Sequence, residues 1–235
     1  MDQILKKQQE MYDVTWENGL AVGKEQRGAL ETNRRFIKQV DVIKPCMHVL
    51  EIGCGIGTIV NDLHLLGCNV IGTDIANKAI EYGKKKYPDI KLEVGVAEKF
   101  NFDTESKDIV LSFDLFEHII ESDKHLAEVS RVLKPKGYYL LQTPNKYSNA
   151  IYSTIRNRGF SWKIAHPSLH SYRELKQRFD KHGFDCVFIK MDPVNEFTLE
   201  KFNGFGPLKW IFKRLDFQRL PLDLQTNFYV VAKKR

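Results

Sequence analysis

Residues 49–58 read Val-Leu-Glu-Ile-Gly-Cys-Gly-Ile-Gly-Thr. Val49, Leu50 and Ile52 suit a buried strand, and Gly53, Gly55 and Gly57 strip side chains from the turn that follows. Such a turn lets backbone N–H groups approach a ligand closely at a helix N-terminus. The dinucleotide fingerprint is G-x-G-x-x-G. Here Thr58 occupies its third glycine position, so the glycines run G-x-G-x-G, with the acid Glu51 two residues ahead of them.

Working outward, Cys68–Asp74 reads as a short second strand with an acid at its carboxyl end, 17 residues past Gly57. A carboxylate there can accept hydrogen bonds from two vicinal ribose hydroxyls. It can equally serve as a helix cap ahead of residues 76–86, and a nicotinamide cofactor would need the same acid. Further strands are expected at 90–94, 107–112, 138–142, 184–190 and 227–233, and helices at 58–66, 76–86, 121–133 and 170–182. Gly67 and Pro88 end two of these helices, and Lys134-Pro135-Lys136-Gly137 reads as a turn. Residues 3–44 carry one amphipathic helical pattern, with Tyr12 and Trp16 on one face. Ser171 and Glu174 form a capping box. The alternation predicts an α/β fold: a doubly wound, mostly parallel, seven-stranded Rossmann-like sheet with ligands at the carboxyl ends of the strands. Residues 1–44 form a helical lid and 45–235 the main domain, with 192–226 inserted before the last strand.

The chain has 235 residues, 43% hydrophobic and 28% charged, an ordinary globular balance. Its formal charge of +6 is spread out. The runs Lys84-Lys85-Lys86 and Lys233-Lys234-Arg235 read as a solvated helix face and a chain end, which disfavours nucleic acid as a partner. Cys46, Cys54, Cys68 and Cys186 show no C-x-x-C pair, arguing against structural zinc and for reduced thiols in a cytoplasmic protein. Met1-Asp2-Gln3 leads into a polar helix rather than a signal peptide. Within 204–220, Leu208, Ile211, Phe212 and Leu215 recur at helical spacing with Lys209, Lys213 and Arg214 opposite. That pattern suits peripheral membrane contact, a cap over an apolar acceptor, a helix docked on its own domain, or a dimer contact.

Four stretches in order carry a family resemblance. The 49–58 turn resembles motif I of the class I S-adenosylmethionine (SAM) methyltransferases. Gly95-Val96-Ala97-Glu98-Lys99-Phe100 resembles their adenine-holding "G-D-A-E-x-L-P-F" turn, with Val96 in place of the aspartate. Residues 108–119 are similar to "D-V-V-x-x-x-x-x-L-E-H-V", and Arg131–Leu141 to "R-V-L-K-P-G-G-x-L". The small-molecule enzymes of this superfamily, the ubiquinone-pathway group among them, are the nearest in pattern.

The resemblance implies SAM as cofactor, contacted by Glu51, Gly53, Cys54, Gly55, Gly57, Asp74, Ile75, Val96, Ala97, Glu98 and Phe113. Glu51 either orients the loop or accepts from the methionine ammonium. Tyr12 and Trp16 would fold over the cofactor from the N-terminal helix. His118 and His170 are the candidate catalytic bases. Asp114-Leu-Phe-Glu117-His118 resembles the E-x-x-E-H of metal-using members, so Asp114, Glu117 and His118 are candidate ligands for a divalent ion; the expected site has no metal. The expected reaction moves a methyl group to a small-molecule or lipid- or sugar-linked acceptor, at oxygen because histidines are near. The rival readings are a metal-assisted RNA 3′-end methyltransferase and a SAM-binding module without turnover.

Overall fold

Val49, Leu50, Glu51 and Ile52 are all buried in strand β1 (His48–Ile52), which pairs in parallel with β2 (Asn69–Asp74) on one side and β4 (Lys107–Phe113) on the other. The computed structural model describes residues 3–25, 29–150, 166–200 and 206–235. Beyond β2 lies β3 (Lys91–Val94); beyond β4 come β5 (Leu133–Pro144), β7 (Asn227–Lys234) and β6 (Phe184–Ile189), giving the order β3-β2-β1-β4-β5-β7-β6. Strand β7 is antiparallel to both its neighbours and the other pairings are parallel. The carboxyl ends of β1–β6 therefore share one edge of the sheet with the start of β7. The segment between β6 and β7 returns at that same edge.

Side chains alternate between the sheet's two faces, as the pleat requires. Val49, Ile109, Leu111 and Leu140 pack with residues of α2 (Leu30–Val40), α3 (Thr58–Leu65) and α4 (Asn77–Lys86). Leu50, Ile52, Val110 and Leu141 pack with α5 (Ser122–Val132) and α6 (Tyr172–Lys181). Helix α1 (Gln3–Ala21) belongs to neither layer: its Trp16 joins Ile56, Ala76 and Ala79 in a separate small cluster. The sheet is thus covered by helices on both faces, the doubly wound arrangement expected.

Three local expectations are refined. The pattern over 3–44 is two helices, because the chain turns after Ala21 through Gly23, whose φ of +72° suits glycine. Lys134–Gly137 lies within the span of β5 but between its paired positions Leu133 and Tyr138, so the expected turn is a register shift in the strand, with Lys136 at φ +64°. The 192–226 insertion contains short helices α7 (Glu196–Glu200) and α8 (Gly206–Arg214) and a 3-10 turn, Leu222–Leu224. The capping box forms as predicted: Ser171 Oγ accepts from the Glu174 N–H, and Glu174 accepts from the Ser171 N–H at 2.7 Å. No helix among the described residues is long and apolar enough to cross a membrane.

Candidate active site

The glycine turn is pulled against the end of β2, where the Thr73 carbonyl accepts the N–H groups of Gly53 (2.7 Å) and Cys54 (3.0 Å). Two of its glycines do different work. A Cβ on Gly55 would lie 2.7 Å from the Trp16 ring, and φ there is +56°; this residue opens toward α1. A Cβ on Gly57 would lie 2.8 Å from Ile90 and from Leu92, so its missing side chain seats the turn against β3. Gly57, expected among the cofactor contacts, does not line the cleft described next.

That cleft, of about 630 Å³, opens over the carboxyl ends of β1, β2 and β4. Of the predicted residues, Tyr12, Trp16, Glu51, Gly53, Cys54, Gly55, Asp74, Ile75, Ala97, Glu98 and Phe113 line it, and so do Asp114, Glu117 and His118. Val96 and His170 do not. Val96 pairs with Lys99 in an isolated antiparallel bridge, which puts Ala97 and Glu98 at the tip of a tight turn facing the cleft. Burial raises the Glu98 carboxyl above the ordinary range.

The tip is held from behind. His125, fully buried, has Nδ1 2.7 Å from the Ala97 carbonyl and Nε2 2.8 Å from the Tyr139 hydroxyl, which is 2.6 Å from Ser112 Oγ. A carbonyl can only accept, so Nδ1 carries the proton and Nε2 accepts from Tyr139. Burial lowers the His125 pKa to about 4, keeping the ring neutral.

Asp74 accepts with both oxygens: Oδ2 from the Gly55 N–H and Oδ1 from the Ala76 N–H, each at 2.8 Å. A carboxylate has about four acceptor positions, and these bonds use two. The group ties the glycine turn to the entry of α4 while facing the cleft.

Glu51 is 4% exposed, and its Oε2 is buried with no hydrogen-bond partner. Burial first, then the carboxylates of Asp74 and Asp62, push its pKa well above the ordinary value. A raised folded pKa means that the native state holds the proton to higher pH than the unfolded chain. The stability this lends is complete below the unfolded value and is lost as pH rises through the folded one. Glu51→Gln, neutral throughout, is therefore expected to melt higher than the parent at pH 8. The gap should close near pH 4. Equal melting curves at both pH values would show that Glu51 is charged at no cost.

Helix α1 crosses the cleft and is tied down on both sides. Gln8 donates to the His118 carbonyl at 3.2 Å, Asp13 accepts the Lys78 N–H of α4 at 2.8 Å, and Trp16 lies on Gly55 between them. Tyr12 meets His118 edge-on, ring centroids 5.9 Å apart.

At the other end of the cleft, the 3-10 turn Phe116–His118 follows β4. Glu117 is 2% exposed; its Oε2 accepts from Thr143 Oγ1 at 3.0 Å and its Oε1 lies 3.9 Å from His118 Nε2. The His118 ring is 4.9 Å from that of His166, which also lines the cleft. His166 is not one of the two bases expected from the sequence. His170, chosen instead, packs against Phe116 (5.5 Å) with Nδ1 buried and without a hydrogen-bond partner, and burial lowers its pKa. Among the described residues no three His, Cys, Asp or Glu side chains are grouped as a metal site requires.

Residues 50–141 match the family model described as a methyltransferase domain. A ubiquinone biosynthesis O-methyltransferase of Pelagibacter ubique is 32% identical over 168 residues, covering 69% of this chain and 67% of that protein. A sterol 4-C-methyltransferase of Caenorhabditis elegans is 28% identical over 153 residues, 60% of this chain and 45% of the other. The chain spans about half the length of several curated relatives it matches, the sterol enzyme among them. In fold it is similar to a putative methyltransferase from Haloferax volcanii solved with the activator Trm112, at TM-score 0.71 and 17% identity over 94% of this chain and 96% of the other. A probable S-adenosylmethionine-dependent methyltransferase of Mycolicibacterium smegmatis is 31% identical over 125 residues, 51% of this chain and 49% of that protein. The cleft suits that cofactor: Glu51 offers a buried acceptor oxygen without a hydrogen-bond partner, and Asp74 faces the same cleft. This chain belongs to the class I SAM-dependent methyltransferases.

Proposed function

We propose that the chain is a methyltransferase acting at an oxygen of a small, partly apolar acceptor, free or linked to a lipid or sugar. One observation carries this reading: a single cleft holds the glycine turn and Asp74 at one end and the His118–His166 pair at the other. Bound SAM supplies an electrophilic methyl group with a neutral leaving group, so the protein's task is alignment and exclusion of water.

In this reading Glu51 receives the methionine ammonium and Asp74 the ribose hydroxyls. The Ala97–Glu98 tip, backed by His125, borders the adenine, and Cys54, Ile75 and Phe113 supply apolar walls. Residues 1–44 act as the lid, with Tyr12 and Trp16 on its inner face. The 192–226 insertion caps the acceptor side; of the aromatic residues in 150–220 whose presence favours an apolar acceptor, Tyr152, Phe160, Trp162 and Phe205 lie outside the described residues and Trp210 is exposed on α8. His118 takes the proton from the acceptor hydroxyl, and buried Glu117 steadies the imidazolium. The O-methylating relative at 32% identity supports oxygen as the acceptor atom. Four cysteines without a disulfide support a reducing, cytoplasmic setting.

The test is calorimetric titration of SAM and of its demethylated product, followed by a mass-spectrometric search of treated cell extract for a species one CH₂ heavier. Binding plus a methylated hydroxyl is the expected result. Absence of binding would overturn the reading, and tight binding without any product would make the chain a SAM-binding module.

A further inference from the structure

Exposed large apolar side chains are unevenly distributed over this molecule. On α1, which crosses the cleft, Ile4, Met11 and Val14 point outward. Tyr147 follows the end of β5, and Trp210, Ile211, Leu215 and Leu224 lie between the end of β6 and the start of β7. All of these belong to the edge of the sheet that carries the cleft. Val22, Val94 and Ile120 are exposed as well, next to or near the cleft-lining Lys24, Gly95 and Ile119, and the others among the described residues are Leu65, Leu66 and Val187.

Helix α8 concentrates the pattern. Its inward side is taken by Phe212, 8% exposed and 4.9 Å from the buried Phe217. Its outward side presents Trp210 (56% exposed), Ile211 (48%) and, just past its end, Leu215 (42%). Exposed Lys213 and Arg214 stand among them, and the Arg214 guanidinium lies 4.1 Å over the Trp210 ring. On α1, exposed Lys6 and Lys7 neighbour Ile4 in the same way. Of the acids beside these groups, Asp216 is paired with Arg219 at 3.0 Å, while exposed Glu10 and Asp223 adjoin Met11 and Leu224, so the cations are concentrated on α8.

We propose that this edge rests on an anionic lipid bilayer, with α8 as its main contact and the cleft opening toward the membrane. Trp, Ile and Leu bury into the boundary between headgroups and acyl chains, while Lys and Arg stems extend their charges to lipid phosphates. Indole rings favour that boundary, where one end is apolar and the other wet. A second copy of the chain would need an opposing acidic or neutral apolar face. The cleft edge, carrying Lys6, Lys7, Lys213 and Arg214 around its apolar groups, offers cations, and that complements an anionic leaflet. The docking goes beyond the methyl-transfer reading and does not depend on it, because it is measured without an acceptor. Joined to that reading, it gives a lipid-dissolved acceptor a short path into the cleft.

The experiment is flotation of the full chain with vesicles of phosphatidylcholine alone and of phosphatidylcholine mixed with phosphatidylglycerol. The chain is expected to float with the anionic vesicles and to be released as salt rises past the screening range. Two variants, Trp210→Ala with Ile211→Ala, and Lys213→Glu with Arg214→Glu, should each lower partitioning about tenfold. Both alter exposed side chains outside the cleft, so SAM affinity and melting temperature should stay at the parental values. A parent that ignores anionic vesicles, or variants that float equally well, would overturn the proposal. So would a dimer in sedimentation equilibrium that dissociates on Trp210→Ala, which would give the surface to a second copy.

Discussion

Replacing His118 by alanine is expected to lower kcat by about 10²–10⁴-fold, the usual contribution of a positioned general base, with SAM affinity nearly unchanged. A base acts on the acceptor proton only as the methyl transfers, so its loss appears in kcat and in kcat/KM together. His118 is suited to that task by its neighbours. The chain after β4 makes a 3-10 turn that brings its ring into the cleft beside Tyr12 and His166. Glu117, held by Thr143, lies 3.9 Å from Nε2, where a developing positive charge on the ring would meet it. The companion variant His166→Ala separates the two rings. If the larger loss follows His166, the base is the second histidine; if neither substitution slows turnover beyond about threefold, the acceptor loses no proton to this pair and oxygen methylation through a histidine base is wrong.

The contrast between His118 and His166 marks how far the sequence can be read. Local signals carried well. The apolar run before Gly53 made β1, the acid after a second apolar run sits at the mouth of the cleft as Asp74, and Ser171 with Glu174 formed the capping box. Roles set by distant contacts did not carry. The Lys146 N–H donates to the His170 carbonyl at 3.1 Å and Asn145 pairs alongside, which fixes His170 behind Phe116 and not in the cleft. Gly57 belongs to the same motif as Gly55, yet Ile90 and Leu92, more than thirty residues on, decide that it packs and does not line the cleft. The sequence Lys134-Pro135-Lys136-Gly137 has the composition of a turn, and it sits as an unpaired register shift between Leu133 and Tyr138, though β5 runs through it. The His125–Tyr139–Ser112 chain behind Ala97 gave no local signal, because its members come from three different elements.

Asp74→Ala is expected to weaken SAM binding at least about tenfold, equivalent to about 1.4 kcal/mol, and the structure explains why this acid has no conservative substitute. Hydrogen bonds to a charged acceptor contribute about 1.5–3 kcal/mol each, so two ribose hydroxyls on one carboxylate carry more than the stated minimum. The same carboxylate accepts the Gly55 and Ala76 N–H groups, one on each oxygen. Asparagine would turn an NH₂ group toward one of those two donors, so Asp74→Asn should bind SAM nearly as poorly as Asp74→Ala. Glutamate adds a methylene to a site whose two backbone bonds are both 2.8 Å long. Loss of the turn's anchor would itself weaken binding, and the two causes separate in a cycle that also varies the ligand. A SAM analogue lacking the ribose hydroxyls should bind the parent and Asp74→Ala with similar affinity if the carboxylate acts through those hydroxyls. If the analogue loses as much affinity as SAM does on the substitution, Asp74 shapes the turn and the ribose is held elsewhere. Unchanged SAM affinity would remove Asp74 from the site altogether.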